Sequence, residues 1–376
     1  MQKNIITASD TIKVSGAVFS ARKEGKYMKK SKIAVIFGGC STEYEVSLQS
    51  AYSVLQKLNT EKYEVIPVGI TREGKWFHYT GEYARIAENS WWEDIEYLFP
   101  AVFPANRGAG GFIEFHGEKM RTVGVDIALP VLHGKNGEDG SVQGLFQLSG
   151  IPIVGCGVLS SALCMDKTRA HRLVSAAGIA VPKSLTFTNI SIETAFQEVR
   201  KTFHFPLFVK PVRSGSSFGI SKVHSADELQ RAVITAFEYD SEVVVEENID
   251  GFEVGCAVMG TDNLTVGRVD EIELSGGFFD YTEKYTLKTS RIYMPARITP
   301  AEEERIQKTA KVIYRTLGCS GFARVDMFYT PEKRIVFNEV NTIPGFTAHS
   351  RFPSMMKGIG LSFADMLDRL IGEYLK

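Results

Sequence analysis

Nowhere in the 376 residues does an apolar run approach the ~20 needed to cross a bilayer, which excludes a membrane-spanning helix. Cysteine is sparse. Cys40, Cys156, Cys164, Cys256 and Cys319 are scattered, and no two form a C-x-x-C pair. That pattern excludes a contiguous zinc ribbon or redox motif and reads as reduced core thiols in a reducing cytoplasm. Neither sign of charge dominates: 43 basic against 44 acidic residues give a net charge of −1. No overall footprint for nucleic acid or an anionic membrane surface follows, and neither is expected as a partner. Internal repeats, low-complexity tracts and a Walker A loop are also missing. What remains is a chain 44% hydrophobic and 23% charged, the balance of a soluble globular protein long enough for two or three cores.

Residues 1–27 are mildly basic, but their longest apolar run is three residues, too short for a secretory signal. MKKSKIAVIFGG, from Met28, reads like a natural start. The leader is expected to be a disordered extension or a start codon set too far upstream.

From there the pattern alternates. IAVIF (33–37), EVIPVGI (64–70) and DIALPVL (125–131) are short continuous apolar runs, the signature of buried parallel strands. The first and third end in the glycine-bearing loops FGGCSTE and HGKNGEDG, and ligands gather at the carboxyl ends of such strands. Thr42-x-x-Glu45 is expected to act as a capping box for a helix reaching about Leu58. Residues 28–155 therefore predict a doubly wound parallel-sheet domain. The aromatic stretch 75–99 is expected to pack around it.

Residues 156–245 predict a small α+β unit. A helix over 166–178 leads to the strand SLTF, a helix over 191–202, PLFVKP (206–211) and the loop RSGSSFG (213–219). The strand GISKV follows, then a helix capped at Ser225-x-x-Glu228 and the strand EVVVEEN (242–248). Residues 246–376 carry FEVGCAVMG, a polar stretch, and a helix from Pro300 to Leu317 with Thr299 at N-cap and Glu302 at N3. A hairpin, GFARVDMFY and RIVFNEVN across TPEK, precedes an amphipathic C-terminal helix. The fold class is α/β (α+β), in three lobes.

The hairpin carries the chemistry. Side chains alternate along a strand, so Arg324 and Asp326 share one face, as do Glu339 and Asn341 on its neighbour. Asp, Glu and Asn form an all-oxygen set that suits Mg²⁺ or Mn²⁺ and not zinc. Magnesium held by few carboxylates usually shares its shell with phosphates, and Lys167, Lys210 and the glycine–serine loop are candidate phosphate partners. Taken alone, these positions also fit solvent-facing polar residues and an ordinary hairpin loop. His78 and His171 show no ligand spacing.

In order over about 350 residues, FGGCSTEYEVS, HGKNGEDG, SALCMDK, FVKPVRSGSSFGISKV, EKY, GFARVDMF and FNEVNTIPGFTAHS resemble the D-alanine–D-alanine ligases, of the ATP-grasp superfamily. The resemblance implies ATP clamped between the central and C-terminal lobes, with Lys167, Lys210, Ser216 and Ser217 on the phosphates. It places Glu246 at the adenine edge, Glu253 at the ribose, Glu247 through Ile249 as the hinge behind the base, and Asn338 and Glu339 beside the nucleotide. Asp326, Glu339 and Asn341 match the ligands of two Mg²⁺ or Mn²⁺ ions. Arg324 matches the oxyanion-stabilising residue, and Glu43 the group that binds the first substrate's ammonium. His133 meets the same site; Gly345 and Ser350 match contacts to the second substrate. The loop 276–293 would be a lid, with Lys284 on phosphate and Tyr285 completing a hydrogen-bonded set with Glu43 and Ser216. A cytoplasmic enzyme and, by analogy, a homodimer are implied.

One position departs. Where the D-alanine–D-alanine ligases usually carry leucine, this chain has Arg351, as do the D-alanine–D-serine ligases of glycopeptide resistance. Guanidinium donors reach a substrate hydroxyl, whereas leucine offers only a methyl wall. The alternative is an arginine that pairs with an acidic neighbour in a housekeeping D-Ala-D-Ala ligase; a non-catalytic nucleotide-binding regulator is the distant third. Tyr285, which is histidine in relatives that make the D-Ala–D-lactate ester, points to an amine nucleophile.

Overall fold

The computed structural model describes residues 29–188, 192–215, 218–274 and 290–375. Ser216, Ser217, Lys284, Tyr285 and the N-terminal leader, all singled out by the sequence, lie outside the described residues.

Three sheets organise the chain. The first contains β1 (Ser31–Gly38), β2 (Tyr63–Ile70), β3 (Trp76–Tyr79), β4 (Leu98–Val102), β5 (Gly111–His116), β6 (Lys119–Gly124) and β7 (Ile127–Val131), in the order β6-β5-β4-β3-β2-β1-β7. β1 pairs in parallel with β2 and β7, the three runs recognised as buried strands, and the sheet then continues antiparallel through β3 to β6. The aromatic stretch thus contributes strands as well as packing. The second sheet joins β8 (Ser184–Thr188), β9 (Leu207–Pro211), β10 (Ser221–Val223) and β11 (Glu242–Glu247) in the order β10-β9-β11-β8. The third joins β12 (Phe252–Met259), β13 (Thr265–Leu274), β14 (Ser290–Tyr293), β15 (Phe322–Tyr329) and β16 (Ile335–Asn341) in the order β14-β13-β12-β15-β16.

The helices are α1 (Tyr44–Lys57), α2 (Tyr83–Ala87), α3 (Ser141–Ser149), α4 (Val158–Met165), α5 (Lys167–Ala176), α6 (Ile192–Thr202), α7 (Ala226–Phe237), α8 (Pro300–Thr316), α9 (Arg351–Lys357) and α10 (Phe363–Tyr374). The capping box at Thr299 and Glu302 forms as the sequence predicts, with each side chain reaching the other's backbone. Ser225 Oγ likewise accepts from the Glu228 N–H. At α1 the expectation fails. Glu43 is the N-cap residue with no side-chain cap, and Glu45 turns outward to Arg72. A nearby cation outcompetes the backbone for an exposed carboxylate.

One core lies between the first sheet, α1 and α10, with Ile33, Val35, Phe37, Val54, Leu55, Leu367 and Leu370 in contact; Phe322, Phe346 and Phe352 extend it into the C-terminal lobe. Each such side chain contributes ~1.5–3 kcal/mol on burial. This shared core fixes the turn after β16 against the loop after β7. β13 is the strand the sequence hides in a polar stretch. Its charges are absorbed by partners distant in sequence: Arg268 by Glu303, Asp270 by Arg351 and Glu271 by Arg297.

Candidate active site

Between the second and third sheets lies a cleft of about 490 Å³ lined by Lys167, Lys210, Ser214, Glu246, Glu247, Ile249, Glu253, Asn338 and Glu339. The sequence nominated all of these but Ser214, which sits in the glycine–serine loop. Phe208, Lys222, Phe328 and Arg297 line it too and were missed. The apolar strands β9 and β11 bring Lys210 here, and α5 brings Lys167. Lys210 ends β9 opposite Val244, and its ammonium donates to Glu246 Oε2 at 2.7 Å, both groups buried. Lys167 opens α5 behind the Asp166 N-cap and donates to the Ser214 carbonyl at 2.7 Å. Glu247 Oε1 accepts from the Lys183 N–H at 2.9 Å, tying the hinge strand to the segment before β8. A polar rim with two lysines at one end and an apolar floor suits a polyphosphate joined to a flat base.

Across the β15–β16 pair, Asp326 stands opposite Glu339, and Arg324 opposite Asn341. Asp326 is 1% exposed and accepts from Arg324 Nε and Nη2 at 2.8 and 2.7 Å and from Asn341 Nδ2 at 2.8 Å. Donation from Nδ2 leaves Asn341 Oδ1 as the atom available to a ligand. Asp326, Glu339 and Asn341 thus share the β15–β16 pair, with Glu339 lining the cleft, and their hard oxygens are a donor type that fits Mg²⁺ or Mn²⁺. Among the described residues no group of three His, Cys, Asp or Glu side chains offers a rival metal centre.

The first lobe supplies the other side. Glu43 is buried and lies against Gly215 and Gly134: a Cβ on Gly215 would come within 2.7 Å of Glu43 Oε2, and one on Gly134 within 2.5 Å. His133 Nδ1 lies 2.8 Å from the Ile343 carbonyl and Nε2 3.2 Å from Ser50 Oγ. Burial holds this imidazole below its ordinary range, against the pull of Glu43. Glu138 of HGKNGEDG, to which the sequence assigned no role, accepts from the Gly134 and Ile343 N–H groups at 2.9 Å each. Burial and the neighbouring Glu43 push its carboxyl up to about 8, outweighing those two donors. His133 and Glu138 therefore fasten the turn after β16 to the first lobe. Gly345 packs on Ser350, whose Oγ accepts from the Thr347 N–H at 3.1 Å.

Arg351, the first residue of α9, does pair with acidic neighbours. Its Nε and Nη2 donate to the two oxygens of Asp270 at 2.7 and 2.8 Å, and Nη1 donates to Glu253 at 3.2 Å. Nη2 also lies 3.4 Å from Asp326. The guanidinium rests on Gly255, where any Cβ would meet Nη2 at 2.2 Å. It is thus a fixed group beside the cleft, which its partner Glu253 lines. No sequence signal could have named Asp270, 81 residues distant.

The D-ala D-ala ligase N-terminus family matches residues 32–156, and the D-ala D-ala ligase C-terminus family matches 173–372. The chain belongs to the D-alanine–D-alanine ligase family. It is a ligase, on the three-lobed ATP-grasp framework. It is 46% identical over 349 residues to the vancomycin B-type resistance protein VanB of Enterococcus faecalis, covering 92% of this chain and 98% of that protein. The D-alanine–D-alanine ligase of Caldicellulosiruptor bescii is 41% identical over 349 residues, covering 92% and 95%. Among solved structures, the VanG D-Ala:D-Ser ligase of Enterococcus faecalis superposes with a TM-score of 0.86 at 64% identity, covering 92% of this ligase and all of that chain. Among the described residues, no helix is long and apolar enough to cross a membrane.

Proposed function

We propose that this ligase joins D-alanine to D-serine at the expense of ATP, as a cytoplasmic enzyme supplying D-Ala-D-Ser to peptidoglycan precursors in glycopeptide resistance. The observation that carries the reading is the likeness to the VanG D-Ala:D-Ser ligase, 64% identical over 92% of this chain. Arg351, held by Asp270 and Glu253, is the residue assigned to the serine hydroxyl.

Lys167 and Lys210 hold the phosphates while Glu246 to Ile249 face the base. Asp326, Glu339 and Asn341 would hold the Mg²⁺ ions, which supply charge neutralisation on the transferring phosphoryl group. Glu43 orients the first D-alanine through its ammonium, so that its carboxylate meets the γ-phosphorus and becomes an acyl phosphate, releasing ADP. The amine of D-serine then attacks that carbonyl. Arg324 stabilises the oxyanion, an interaction whose loss typically costs ~2.7–4 kcal/mol. Phosphate leaves as the peptide bond forms. No protein nucleophile is needed, because positioning and charge neutralisation dominate phosphoryl transfer. At the acceptor end, Ser350 takes the carboxylate and Arg351 donates to the serine hydroxyl. A charge-assisted bond contributes about 1.5–3 kcal/mol, hence one to two orders of magnitude in preference for D-serine over D-alanine.

The test is phosphate release from enzyme with Mg-ATP and D-alanine, adding D-serine or further D-alanine, with the dipeptide identified by mass. D-Ala-D-Ser favoured about tenfold or more in kcat/KM (1.4 kcal/mol) is the expected result. Equal or better use of D-alanine would leave a housekeeping D-Ala-D-Ala ligase.

A further inference from the structure

Beneath the lysine end of the cleft lies a histidine that the mechanism does not use. His171 is on α5, one helical turn beyond Lys167, and is 4% exposed. Its Nε2 lies 2.7 Å from the backbone carbonyl of Asn338, an acceptor only, so a ring proton sits on Nε2. Its Nδ1 lies 3.6 Å from Glu246 Oε1. Both of these atoms are buried and neither has a hydrogen-bond partner. The ring is held edge-on by Phe337, centroids 5.4 Å apart. Glu246 engages Lys210 through its other oxygen, Oε2.

Buried polar atoms are rarely left unpaired, and here two of them face each other just beyond bonding distance. The arrangement matters because of what Lys210 has to do. In the cleft described here its ammonium serves Glu246; to hold a phosphate it has to share that charge. A buried carboxylate deprived of its cation is strongly unfavourable. A second partner on Oε1 removes that penalty.

We propose that His171 is a positioning residue for nucleotide binding. It is anchored through Nε2 to the strand that carries Glu339. Its Nδ1, taking up a proton from solvent while Nε2 keeps its own, then donates to the Glu246 carboxylate as Lys210 turns to the phosphates, closing the gap from 3.6 Å to about 3 Å. This deepens the reading of the cleft as the ATP site and rests on it. Burial opposes ionisation of Glu246, yet Lys210, His171 and Lys167 together keep its carboxyl below the ordinary range.

Two near-isosteres separate the two ring nitrogens. His171→Gln puts an amide donor at the Nε2 position and keeps the Asn338 anchor, whereas His171→Asn puts one at the Nδ1 position, toward Glu246. His171→Phe keeps the packing on Phe337 and removes both donors. On the full chain with Mg-ATP, ATP affinity by calorimetry is measured together with KM for ATP, KM for D-alanine, kcat and Tm. His171→Gln and His171→Phe are expected to raise KM and Kd for ATP about tenfold (1.4 kcal/mol), with KM for D-alanine within about twofold; His171→Asn recovers most of the loss. The proposal is overturned if the Gln and Phe variants bind ATP like wild type. It is equally overturned if Asn is no better than Phe, or if both KM values, kcat and Tm change together as for a packing residue. Wild-type enzyme that binds no ATP would overturn the nucleotide reading itself, a result distinct from any of these.

Discussion

Replacing Asp270 by asparagine perturbs the joint between specificity and stability without changing its shape. In the native enzyme Asp270 accepts Arg351 Nε on one oxygen and Nη2 on the other, and its Oδ1 also accepts the Gly255 N–H at 3.0 Å. Asparagine can keep Oδ1 on Nη2 and Gly255, but it then turns an NH₂ group toward Nε. One charge-assisted bond is lost and two donors oppose each other, costing about 2 kcal/mol. The cost stays below the ~3–5 kcal/mol of a fully broken buried pair because Glu253 and Asp326 still face the guanidinium. Solvent screens little of it, since the two side chains are 10% and 1% exposed. For a chain of this size that corresponds to a fall of roughly 2.5 °C in Tm. Because the guanidinium is no longer fixed, the advantage of D-serine over D-alanine in kcat/KM should shrink about tenfold, while KM for ATP stays within twofold. Competition between the two amino acids, with products resolved by mass, and a thermal melt read both effects. An unchanged D-serine advantage together with an unchanged Tm would refute the argument that Asp270 fixes Arg351.

Three further outcomes follow from the same structure. Gly255→Ala places a methyl 2.2 Å from Arg351 Nη2 and 2.7 Å from Asp270 Oδ1, so it should lower the D-serine preference as Asp270→Asn does, checked in the same competition assay. Thr299→Ala removes a formed capping box whose two side chains do not line the cleft and should cost about 1 kcal/mol, a fall of about 1 °C in Tm with kinetic constants unchanged. Glu138, whose carboxyl is raised to about 8, contributes stability that is complete below its unfolded value near 4.5 and is lost as pH rises through 8. Wild-type Tm should therefore decline between about pH 5 and 8 relative to Glu138→Gln; parallel Tm–pH curves would rule that coupling out.

Much of the site was legible before any fold was known. Strand alternation alone puts Arg324 with Asp326 and Glu339 with Asn341 on shared faces, and the Arg324–Asn341 and Asp326–Glu339 register brings those faces together. Lys167 and Lys210 were nameable because each ends or opens a regular element beside the glycine–serine loop, and both line the cleft. The capping boxes show where such reasoning works and where it stops. At Thr299 the local pattern acts undisturbed, while at Thr42 an arginine 27 residues beyond Glu45 takes the carboxylate away.

By itself, the sequence determined the buried parallel strands, most of the helices and the three-lobed order, because those follow from periodicity and side-chain chemistry within short stretches. The tertiary structure alone decided how the charges are matched. Asp270 is silent in a polar stretch until β13 brings it under Arg351, and His171 looks idle until α5 sets it between Asn338 and Glu246. The physical reason is burial: a charge removed from water has to find its partner in space, and the partners here come from strands and helices far apart along the chain.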